Sequence, residues 1–122
     1  MLLGVIGICA IFILSQQSDN IVGTWIEKED PKSKWVFIDN SKSKTYYDDK
    51  LLDTFTYNLS RSSPKCGRDI SSEINARPKL KFLELTETDS KDQYCYYVFG
   101  LDEETLSLKP FNGAKILVFE RQ

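Results

Sequence analysis

The sequence predicts an all-β domain: a small antiparallel up-and-down β-barrel of about eight strands. Three observations predict it. From Ile21 onward, short apolar or alternating runs are separated by polar turn residues, at strand length rather than helix length. No stretch sustains a helical period. Gly23-Thr24-Trp25 opens the first run and Phe119-Glu120-Arg121 closes the last, so a glycine-x-tryptophan and an arginine bracket the series. Short turns join the runs into a meander, and closing a meander removes the edges that an open sheet leaves exposed. A β-sandwich fits the alternation alone; the bracket favours the barrel.

Taken in order, Ile21 to Lys28 is the first strand, ended by Glu29-Asp30-Pro31-Lys32-Ser33. Lys34 to Asp39 follows, with Trp35 and Phe37 on one face and Val36 and Ile38 on the other; Asp39-Asn40-Ser41 makes a polar hairpin turn. Lys44 to Asp48 carries Tyr46 and Tyr47. In Asp53 to Ser60, Phe55, Tyr57 and Leu59 alternate with Thr54, Thr56 and Asn58, the mark of a strand with one wet face. Arg61 to Arg77 is irregular, with serines, Pro64 and Cys66-Gly67. Leu80 to Thr86 is apolar, and Tyr94 to Leu101 is aromatic on both faces, Tyr94, Tyr96 and Val98 opposing Cys95, Tyr97 and Phe99. Thr105 to Pro110 alternates with Leu106 and Leu108 inward. Asn112-Gly113 reads as a two-residue hairpin turn, and Lys115 to Arg121 closes the series; an inward Arg121 puts Leu117 and Phe119 inside.

The 122 residues suffice for one domain. Hydrophobic residues at 41% and charged residues at 28% describe a globular chain. A net charge of −2 gives no electrostatic footprint for nucleic acid. The chain has no histidine, which removes the commonest general base and the commonest metal ligand together. Residues 1–17 differ from the rest. Leu2 to Leu14 is uncharged and almost wholly apolar, and Ser15 to Asn20 is polar. Such a run is shorter than the roughly 20 residues of a membrane-spanning helix but suits the hydrophobic core of a signal peptide. No Lys or Arg follows Met1, so the basic start of an ordinary signal is missing, and a retained anchoring helix is the alternative. Cys9 falls within this run, in a context that fits lipidation badly. An exported domain over residues 18–122 then holds Cys66 and Cys95, an even pair that reads as a disulfide in an oxidising compartment.

The usual nucleophilic triads need a base this chain lacks, and no motif singles out a Ser/Lys pair. The acidic runs Asp48-Asp49 and Asp102-Glu103-Glu104 flank turns and read as solvated. Asp39 to Lys44 lacks the glycine and closing glutamate of a calcium loop, and zinc would have only cysteines to bind. The expectation is a non-enzyme with no cofactor and no metal. What remains is an aromatic set that either fills the barrel solidly or lines a pocket. For a pocket, the inward faces of neighbouring strands nominate Trp35, Phe37, Phe55 and Tyr57 as ligand-binding residues, with tyrosine hydroxyls orienting a mostly apolar ligand.

On Gly23-x-Trp25, Trp35-x-Phe37 before a polar hairpin, Tyr94-Cys95-Tyr96, Thr105-Leu106-x-Leu108 and Leu117-Val118-Phe119-x-Arg121, the chain resembles the calycin superfamily, and most closely the lipocalin-like domains of bacterial cell-envelope proteins. The resemblance covers Ile21 to Gln122. It implies that Gly23, Trp25 and Arg121 close the barrel, the Trp filling the narrow end and the Arg lying over its ring. The chain is shorter than a true lipocalin and lacks a mid-chain Thr-Asp-Tyr signature. The resemblance implies an exported protein, periplasmic, surface-bound or secreted, that binds a small hydrophobic ligand or envelope component. The alternative is an interaction or inhibitor barrel whose loops, Arg61 to Arg77 above all, engage an envelope protein. Membrane association is expected only through a retained N-terminal segment.

Overall fold

The computed structural model describes residues 20–61, 66, 77 and 79–122. The expected N-terminal segment 1–17, Cys9 and most of the irregular stretch from Arg61 to Arg77 lie outside the described residues. Eight strands are present among the described residues: β1 Gly23–Glu27, β2 Ser33–Ile38, β3 Lys42–Tyr47, β4 Lys50–Ser60, β5 Lys81–Glu87, β6 Gln93–Leu101, β7 Thr105–Pro110 and β8 Leu117–Arg121. Each pairs antiparallel with the next in the chain, and β8 pairs back onto β1 through Trp25↔Arg121 and Glu27↔Phe119, which closes the barrel. A closed meander leaves no sheet edge unpaired.

Local chemistry sets the turns. Tyr47 and Lys50 are register partners, so Asp48 and Asp49 alone turn the chain, with φ of 52° and 64°. Aspartate and asparagine tolerate this left-handed region better than most residues. The first acidic run is therefore a two-residue hairpin turn. Asn40 and Ser41, with φ of 72° and 63°, turn β2 into β3 as the polar Asp39-Asn40-Ser41 sequence predicts. Asn112-Gly113 behaves differently from expectation. Neither residue takes a positive φ; they sit in a wider loop from Phe111 to Ile116, where the Gly113 N–H reaches the Pro110 carbonyl at 3.3 Å. The closing strand accordingly starts at Leu117, not Lys115. β4 starts three residues earlier than its alternation suggests, because an irregularity opposite Thr45/Tyr46 adds Leu52 without breaking the pairing.

The interior is one cluster that includes Trp25, Phe37, Phe55, Leu83, Leu85, Val98, Leu106, Leu108 and Phe119, drawn from seven of the strands. A second, smaller cluster lies on the outside of the wall. Phe82 and Tyr97 are register partners there, packed with Leu80 and Phe111. Cys95 shares the outer face of β6 with Tyr97, and it is bonded to Cys66 with Cα atoms 6.1 Å apart. The disulfide thus ties the β4–β5 connection to the barrel wall beside these outer rings.

At the end where β1 begins, Trp25 is fully buried, and its indole N–H donates to the Ile21 carbonyl at 2.9 Å. The Arg121 guanidinium carbon stands 4.2 Å from the centroid of that ring. Its donors reach four carbonyls: Glu103 at 2.6 Å, Val22 at 2.8 Å, Asn20 at 2.6 Å and Asp102 at 3.4 Å. Gly23 lies beside it with φ of +142°, and a Cβ built there would come within 2.7 Å of Arg121 Nη1. The glycine is required twice, for its backbone conformation and for the room it leaves the guanidinium.

Gly23→Ala and Arg121→Ala should each lower the unfolding free energy by about 1–3 kcal/mol. Because both displace the same guanidinium, the double variant should lose less than the sum, which urea denaturation of the four proteins will read. Fully additive losses would show that the two residues act separately. Reducing the Cys66–Cys95 bond, which spans 29 residues, should lower stability by roughly 3–4 kcal/mol, measured as the shift of the denaturation midpoint with and without reductant.

Candidate functional site

Alternation along the strands brings aromatic side chains together around Trp35, the register partner of Trp25. Trp35 packs edge-on to Tyr96 at 5.7 Å between ring centroids and lies 4.8 Å from Phe119. Phe55 meets Tyr94 edge-on at 6.1 Å. These rings do not fill the space between them. A cavity of about 300 Å³ opens there, walled by Trp35 from β2, Thr45 from β3, Phe55 from β4, Leu85 from β5 and Tyr94 and Tyr96 from β6. That is the lower end of the size range of small-molecule sites. Ser33, Asp53 and Glu87 add polar groups at its rim, and Leu52, 59% exposed, adds an apolar one.

The four residues nominated from the sequence divide. Trp35 and Phe55 line this cavity. Phe37 is buried at 1% exposure and stacks edge-on against Tyr57 at 5.1 Å, and the Tyr57 hydroxyl donates to the Ile38 carbonyl at 3.2 Å. Phe37 and Tyr57 therefore belong to the packed half, between the cavity and the closed end. Tyr94 and Tyr96 were not nominated, because β6 is aromatic on both faces and its alternation alone does not say which face is inside. Cys95 carried the missing signal: a residue that bonds a distant loop must face outward, which turns Tyr94 and Tyr96 inward.

The electrostatics follow from burial. Exclusion of water pushes the Tyr96 phenol up to about 12, with a smaller push from Tyr94. Glu27, at the top of β1, is raised chiefly by burial and next by the negative charge of Asp30. The second acidic run is used up in turn-making: Asp102 Oδ1 accepts the N–H groups of Glu104 and Thr105 at 2.8 Å each, which holds its carboxyl below the usual value. Its neighbouring carbonyls serve Arg121. Among the described residues, no group of three or more Cys, Asp or Glu side chains could hold a metal ion.

A larger hollow of about 860 Å³ lies along the start of β6 and the β7–β8 loop, past Cys66, Gln93, Phe111 and Gly113. Cys66 is flanked in sequence by residues outside the described set, as is most of the Arg61 to Arg77 stretch. The interior cavity is the candidate site, because inward side chains of five adjacent strands wall it.

Tyr96 sets a pH dependence. Its phenol is raised from 10.0 to about 12 in the fold, so its contribution is complete below pH 10 and is lost as pH climbs toward 12. A loss on the order of 2–3 kcal/mol is expected over that interval. Tyr96→Phe should flatten the alkaline limb of the stability curve; an unchanged limb would place the phenol in water.

Compared with protein-family models, curated proteins and solved structures, the chain finds no match in any of the three.

Proposed function

We propose that this chain is an exported, non-catalytic, lipocalin-like barrel that holds a small, mostly apolar ligand in the cavity at its open end. The observation that carries the reading is the unequal filling of the interior. Trp25, Phe37, Leu106, Leu108 and Phe119 are packed with almost no exposure, while the neighbouring Trp35, Phe55, Leu85 and Tyr96 border a hollow. A purely structural barrel gains nothing from such a hollow, since unfilled space forfeits packing energy. Tyrosine and threonine hydroxyls at an otherwise apolar wall suit a ligand with one polar end. The apolar run before residue 18 and the disulfide support export.

Native mass spectrometry of the protein purified from its own envelope without detergent should show a discrete extra mass that vanishes on denaturation. The neutral dye N-phenyl-1-naphthylamine should bind with a rise in fluorescence. Thr45→Phe, which puts a ring into the hollow and removes no wall, should weaken that binding at least about tenfold while the protein still unfolds cooperatively. A bare mass together with no dye uptake would overturn the reading in favour of a filled core.

A further inference from the structure

The open-end cavity has an electrical sign. Asp53 and Glu87 both face it, from β4 and β5, and no Lys or Arg is among the described residues that line it. The register ties these carboxylates to the aromatic wall. Glu87 pairs directly with Phe55, and Asp53 pairs with Thr45 on the same inner face, two residues before Phe55. Side chains directly opposite across a strand pair stand about 5 Å apart, so each carboxylate borders the rings. Glu27, behind Ser33 at the top of β1, adds a third negative group, and Ser33 reaches the rim.

Two of the basic residues near this end have partners outside the cavity. Lys34 projects on the outer face of β2, 4.9 Å from the Tyr46 ring centroid and 3.6 Å from Asp49. Lys115 is paired with Glu29 in the loops above. A ligand entering past Leu52 meets the carboxylates of Asp53 and Glu87 and the rings of Trp35, Phe55, Tyr94 and Tyr96. Ring faces carry negative electrostatic potential, so rings and carboxylates favour the same sign of guest. An acid would be repelled by both. A neutral guest would strip water from Asp53 and Glu87 and return nothing for it. A bare metal ion lacks its ligands, since no group of three suitable side chains is present among the described residues.

We infer that the cavity takes a small organic cation: an ammonium group, primary or quaternary, carried on an apolar or aromatic body. The ammonium sits between Asp53 and Glu87, and the body lies against Trp35 and Phe55. This assignment rests on the ligand-holding reading above and adds the charge of the ligand to it.

The test is a titration of the oxidised, ¹⁵N-labelled chain with three probes of similar size: benzyltrimethylammonium, benzyl alcohol and phenylacetate. The chain has two indole N–H signals. That of Trp35 lies at the cavity, and that of Trp25, its buried register partner, is bonded to the Ile21 carbonyl, is absent from the cavity lining and serves as the reference. Benzyltrimethylammonium should shift the Trp35 signal further than that of Trp25 and bind at least about tenfold tighter than benzyl alcohol, roughly 1.4 kcal/mol. Phenylacetate should bind more weakly still. Added salt should narrow the difference, because the carboxylates are reached by solvent. Asp53→Asn with Glu87→Gln should erase the preference without weakening benzyl alcohol binding, and Asp53→Lys with Glu87→Lys should reverse it toward phenylacetate. Equal binding of all three probes would overturn the cation assignment and leave a ligand-holding cavity standing. No shift of Trp35 with any probe would overturn both.

Discussion

Arg121 lies across the buried indole of Trp25, and the whole closed end of the barrel is arranged around that stack. The guanidinium is planar and always charged, with donors fixed in a fork, so it can cover a ring and bind several carbonyls together. Here it gathers Asn20 and Val22 from just ahead of β1 and Asp102 and Glu103 from the turn between β6 and β7. One side chain on the last strand thus fixes the first strand, the β6–β7 turn and the core tryptophan. Other constraints follow from it. Gly23 must lack a Cβ, and Asp102 must make the turn that presents two carbonyls. Lysine in place of Arg121 would supply the charge without the fork.

Closing one end so firmly permits the other to stay incompletely filled. Stability in a barrel of this size comes from the packed half, where Trp25, Phe37, Leu106, Leu108 and Phe119 interlock with almost no exposure. The outer wall adds a second apolar contact of its own, Phe82 and Tyr97 with Phe111, beside the disulfide. Those rings lie outside the barrel, where they brace the sheet without occupying its interior. The open half is consequently relieved of packing duty, and aromatic side chains there can stand around a space rather than fill it.

Function, in this reading, lies in where polar groups interrupt an apolar wall. Asp53 shares its face of β4 with Phe55, Tyr57 and Leu59, and Glu87 shares its face of β5 with Leu83 and Leu85. Asp53 is exposed and Glu87 ends β5, so solvent still reaches both and their charges need no buried partner. Tyr96 lies deeper and keeps its proton for the opposite reason.

Much of the architecture was legible in the residues themselves. Phe55-x-Tyr57-x-Leu59 and Leu106-x-Leu108 show their inner faces by period two, because a strand exposes alternate side chains to one side only. Cys66 and Cys95 as an even pair pointed to the bond that the fold contains. The Asn112-Gly113 turn misled, since a two-residue hairpin requires strand partners that meet there, and the register of β7 with β8 ends earlier, at Leu108↔Leu117. Alternation also could not decide β6, whose two faces are both aromatic. Nor could it rank the four nominated residues: depth along the barrel, which puts Phe37 and Tyr57 in the core and Trp35 and Phe55 at the cavity, depends on strand stagger. So does the meeting of Asp53, Glu87, Trp35 and Tyr96 from four strands far apart in the chain. The sequence by itself determined which side chains of a strand share a face, because that is local pleat geometry. Only the tertiary structure decided how far along the barrel each one lies, and therefore which enclose space and which fill it, because that depends on the register of every neighbouring pair around the closed sheet.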